Sequence, residues 1–136
     1  MSVAVDPWTP SALAERSESS LLAVQHVIDG ELREAQSGES FVSIDPMTRV
    51  PWAEVARGDA DDARDAVAAA RRSFDDGRWS GLAVAERGAI LHRLADLLED
   101  NAEALAICDS RDMGRPVAAA LEQDVSRAAL NFRFFA

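Results

Sequence analysis

One cysteine, two histidines and a run of aspartates are the side chains in this sequence with the clearest capacity for chemistry. A cysteine attacks a carbonyl or binds a metal as thiolate, which needs a nearby base, cation or helix N-terminus to lower its pKa. Cys108 lies in ALAICDS, an apolar helical context without a histidine or basic cluster beside it, so the better reading is a buried small hydrophobe. His26 and His92 are too few for a histidine-rich metal site, and neither HExxH nor GxSxG occurs. His26 reads as a strand residue and His92 as a helix-surface or half-buried one. Asp59, Asp61, Asp62 and Asp65 suggest a calcium loop, but a loop opening at Asp59 needs Gly at position 64 and Glu at position 70, where Arg64 and Ala70 stand. The same carboxylates suit a helix start, where they accept from open amides and meet the positive end of the dipole. Asp75-Asp76-Gly77 reads as a turn.

Phosphate and nucleic-acid chemistry find no purchase. The glycines stand at 30, 38, 58, 77, 81, 88 and 114, no two separated by a single residue, so GxGxxG is absent. Every basic residue is Arg; without Lys there is neither a P-loop lysine nor Schiff-base chemistry. A net charge of -10 disfavours nucleic acid and anionic membrane surfaces alike. The apolar runs fall well short of the roughly 20 residues that span a bilayer, and the first residues lack the basic start and apolar core of a secretory signal. A single cysteine excludes an internal disulfide and fits a reducing compartment, with the cytoplasm as default. No catalytic, cofactor-binding or metal-ligating residue is assigned on these grounds.

The elements read as scaffold. Residues 1–23 form a loose polar arm. Asp29-Gly30 divides two short strand-compatible runs between Val24 and Ala35, a hairpin signal because both central positions of such a turn favour positive φ. SFVSI is a strand ended by Asp45-Pro46, and Val50 to Arg57 a further one. A helix capped by Asp59 runs to about Phe74, with Ala63, Ala66, Val67, Ala70 and Phe74 as its apolar face. A second runs from about Ala83 to Arg111, with a break near Asn101 and a stripe of Ile90, Leu91, Leu94, Leu97, Leu98 and Leu105. After Gly114 and Pro116 a third presents Val117, Leu121, Val125, Ala128, Phe132 and Phe135. Trp52 and Trp79 read as packing anchors, and Glu86-Arg87 and Glu99 to Glu103 as solvated faces. The aromatic cluster Phe132 to Phe135 at helical spacing favours core or interface over a cofactor platform. With no cap or polar tail after NFRFFA, this end reads as interrupted rather than finished.

Four segments, in order and at matching spacing, resemble the N-terminal part of the aldehyde dehydrogenase superfamily: HVIDGEL; FVSIDPMTRVPWAEVARGDADDARDAVAAARRSF; WSGLAVAERGAILHRLADLLEDNAEALA; and SRDMGRPVAAALEQDVSRAALNFRFFA. The resemblance covers Val24 to Ala136. It implies an α/β, Rossmann-type family fold in which residues 24–136 are an incomplete N-terminal part of the nucleotide-binding domain: a hairpin and strands, then three helices. It implies a parent enzyme that oxidises an aldehyde to an acid with NAD or NADP and assembles as a homo-oligomer. The family's cofactor residues, its base Glu and its nucleophilic Cys lie beyond Ala136, so no functional residue carries over, Cys108 included, and no cofactor is expected to bind this segment alone. The segment is then an inactive fragment, with apolar helix faces open to self-association; the alternative is a non-catalytic helical interaction module derived from the family. Arg49 departs from the pattern, standing where the family usually has Gly, which strains the turn if positive φ is required there. The ending RAALNFRFFA is similar to family members that oxidise hydroxymuconic semialdehydes.

Overall fold

The computed structural model describes residues 9–14 and 21–136. The expected loose arm is partly ordered: Pro10–Ala14 form a short helix, α1, and strand β1 (Leu22–Val24) opens inside it. Leu13 and Leu22 are both buried, so these apolar residues hold the chain to the core. Residues 1–8 and 15–20 of the arm lie outside the described residues.

Strand β2 (His26–Ile28) turns into β3 (Glu31–Arg33) through Asp29 and Gly30, whose φ angles of 55° and 80° give the twist that a two-residue hairpin needs. Strands β4 (Ser40–Ile44) and β5 (Pro51–Ala56) form a separate sheet with β1, in the order β1-β5-β4, parallel between β1 and β5 and antiparallel between β5 and β4. Trp52 and Ala53, neighbours on opposite faces of the central strand, are both buried. Between β4 and β5, Arg49 takes φ 60°, and its amide donates to the Asp45 carbonyl at 2.8 Å. The strain expected of a side chain at this position is therefore present.

Helix α2 (Ala60–Asp75) begins as the aspartates indicate. The Asp59 carboxylate accepts from the amides of Asp61 and Asp62, at 2.7 and 3.3 Å, while Asp62 returns the bond to the Asp59 amide at 3.0 Å. The second helix breaks at Asn101, as its sequence indicates, into α3 (Val84–Asp100) and α4 (Ala102–Met113), and the Asn101 side-chain amide donates to the Leu97 carbonyl at 2.8 Å. Gly114 ends α4 at φ 74°, and a Cβ there would approach Pro46 Cγ to 2.9 Å. Glycine is thus required twice, by its backbone angle and by the turn packed against it.

The last helix is interrupted by a wider turn. It opens as α5 (Val117–Ala119), passes through a π-helical stretch at Ala120–Val125, and continues as α6 (Ser126–Phe135). The extra residue changes which side chains face inward: Ala120, Val125 and Ala129 are buried, at spacings of five and then four. The Ser126 hydroxyl donates to the Leu121 carbonyl at 3.0 Å, supplying a partner within the widened register. Of the expected face, Val125 is buried while Val117 and Phe135 are exposed, because simple helical spacing does not survive the insertion.

Two other expected faces are corrected in the same way. On α2 the buried residues are Asp62 and Ala69, and Val67 and Phe74 are exposed; on α3 they are Gly88 and Ala95, with Ile90, Leu94 and Leu97 partly open. On α3 small residues win because α6 approaches closely: the two helices pack with Ala95 and Ala129 wholly buried, and Arg133 reaches back to Asp96 at 2.8 Å and Glu99 at 2.6 Å. Among the described residues no helix is long and apolar enough to cross a membrane.

Replacing Arg49 with Gly removes the positive-φ penalty at the cost of some chain entropy, for an expected net gain of about 0.5 kcal/mol. The denaturation midpoint should rise with an unchanged m-value. Gly114→Ala should instead lower the stability by about 1–2 kcal/mol, and the midpoint with it, since the left-handed angle remains and the new methyl meets Pro46.

Candidate functional site

The most highly organised polar site joins the β4–β5 turn to the C-terminal end of α4. Asp45 is buried, and its carboxylate accepts from the amides of Met47 at 2.8 Å and Thr48 at 3.2 Å. Arg111 Nε stands 3.6 Å from Asp45 Oδ2, with both side chains largely shielded. The same guanidinium donates to the Leu13 carbonyl at 2.6 Å and lies over the Trp52 ring, 5.6 Å from its centroid. Burial pushes the Asp45 carboxyl up, but the Met47 and Thr48 amides, the Thr48 hydroxyl and the Arg111 charge outweigh it and hold the pKa below its ordinary value.

A second polar chain runs beside it. Trp52 Nε1 donates to Ser43 Oγ at 3.1 Å, and that hydroxyl donates to Asp112 Oδ1 at 2.8 Å. Here opens a mainly apolar groove of about 500 Å³, with Val24, Phe41, Val55 and Cys108 on its walls. Cys108 is half-buried and packs against the cluster of Leu13, Leu22, Trp52 and Ala53. The sequence favours a buried small hydrophobe here; Cys108 packs against the core as one but is only half-buried.

The two histidines are not brought together. His26 is half-buried between the hairpin and the start of α2, so close to Gly58 that a Cβ there would fall 3.0 Å from its Cε1. His92 is exposed on α3. Among the described residues no group of three or more His, Cys, Asp or Glu side chains is placed to hold a metal ion.

A dinucleotide's phosphates fit a helix N-terminus only where the amides are open and the surroundings are not anionic. At α2 the first amides are bound by Asp59, and Asp62 stands beside them, itself held below the ordinary carboxylate range by the Asp59 and Gln36 amides. At α3 the Glu86 carboxylate occupies the entry by accepting from the Ala83 amide at 2.8 Å. Both starts already carry their own anion, so neither fits a pyrophosphate.

The sequence and the fold are similar to those of known proteins. A model of the aldehyde dehydrogenase family matches residues 32–136, most of the chain. The chain belongs to the aldehyde dehydrogenase family. It is 39% identical over 129 residues to the NADP/NAD-dependent aldehyde dehydrogenase PuuC of Escherichia coli, covering 95% of this chain and 25% of PuuC. With the aminoacetaldehyde dehydrogenase of Pseudomonas aeruginosa it shares 43% identity over 109 residues, 80% of this chain and 22% of that one. Among solved structures it resembles an indole-3-acetaldehyde dehydrogenase in complex with NAD+, with a TM-score of 0.83, 40% identity, and coverage of 93% of this chain and 26% of the other. The aldehyde dehydrogenase KauB from Pseudomonas aeruginosa is similar at the same TM-score and 39% identity. This family chain therefore spans about a quarter of the length of the curated relatives it matches, and it keeps their α/β fold.

Sequence reasoning passed over Asp45, Arg111, Ser43 and Asp112. A signal existed in Asp45-Pro46, where an Asp before a turn caps amides, but its partner lies on another element far along the chain.

Arg111→Met should cost about 3 kcal/mol by leaving the Asp45 carboxylate buried without its counter-charge. Because the folded pKa of Asp45 is depressed, its stabilising effect is present above the unfolded pKa, near 4, and is lost as pH falls through the lower folded value. Unfolding titrations from neutral to acidic pH should show a steep acid loss in the parent chain and a shallower one in Asp45→Asn.

Proposed function

We propose that this chain is the N-terminal scaffold segment of an NAD(P)-dependent aldehyde dehydrogenase, a parent enzyme that oxidises an aldehyde to a carboxylic acid, and that the segment is inactive alone. One observation carries the reading: the segment matches about a quarter of its relative's length while its own apolar faces stay open. Val27 and Leu32 on the hairpin, Val67 and Phe74 on α2, and Ile90 and Leu97 on α3 are exposed, and surfaces of this kind ordinarily meet further protein. Residues 24–136 serve as an incomplete part of the nucleotide-binding domain, behind the N-terminal arm. Oxidation needs a positioned thiolate, a donor for the developing oxyanion and a nicotinamide to take hydride. We assign none of these roles within the segment, Cys108 included, and place the cofactor on the remainder of the parent.

The parent reading extends to a homo-oligomeric, cytoplasmic enzyme acting on a small aldehyde. The RAALNFRFFA ending makes a hydroxymuconic semialdehyde the first substrate to assay. A second reading, a non-catalytic interaction module, draws on Phe134 and Phe135, which are 82% and 77% exposed and stacked edge to face.

Incubated with NAD or NADP and an aldehyde, the purified segment should produce no reduced nicotinamide, whereas a chimera carrying it in place of the matching quarter of PuuC should turn over. Turnover by the segment alone, lost in Cys108→Ser, would overturn the assignment. If the segment self-associates, Phe135→Asp should abolish the larger species in sedimentation while helicity is retained; unchanged association would remove the aromatic end as an interaction site.

A further inference from the structure

We draw no further inference here: the strongest candidate, the apolar groove between the three-stranded sheet and α4 walled by Val24, Phe41, Val55 and Cys108, carries nothing because nothing in the structure shows what covers it.

Discussion

A single guanidinium contacts three parts of the chain, two of which, α1 and β5, also meet in one apolar cluster. Arg111 reaches the Asp45 carboxylate in the β4–β5 turn, the Leu13 carbonyl in α1 and the face of Trp52 in the central strand. Arg suits the post because its planar fork can satisfy several directions at once, which a lysine ammonium cannot do with the same geometry. Removing a charge from water is costly, so this arrangement holds only while every contact is kept. The sheet, the short first helix and α4 are thus joined both by this shielded cation and by the apolar cluster of Leu13, Leu22, Trp52 and Ala53, with Gly114 packed against Pro46 nearby.

The local chemistry of the fold was legible in the sequence because it depends on neighbours a few residues apart. Asp29-Gly30, the Asp59–Asp62 capping box, the break at Asn101 and the Gly114 stop each rest on a backbone requirement met within one turn. The apolar faces were less legible. Periodicity identifies which residues share a side of a helix but says nothing of how near the next helix comes, and here alanine and glycine occupy the closest approaches while leucines and phenylalanines stand outside. The pairing of Asp45 with Arg111 spans about half of the chain, and no spacing rule links such distant residues.

What the residues withheld about chemistry has a physical basis as well. Carboxylates occupy the starts of α2 and α3, and Cys108 sits among apolar side chains beside the sheet. These features stabilise helices and fill a core, and a nucleophile or phosphate cradle needs the opposite: open amides, positive charge and a base within reach. The family relationship assigns the fold.

The π-helical stretch acts as a phase shifter. One additional residue in a turn advances everything beyond it by about 100° around the axis, so α5 and α6 share one rod while addressing different surroundings. Up to Val125 the helix meets α4, with Ala120 and Val125 packed against Ala106; beyond it, Ala129 and Arg133 turn toward α3. A straight helix of uniform pitch would have to choose between these two neighbours, and the widened turn lets a single element serve as the keel for both.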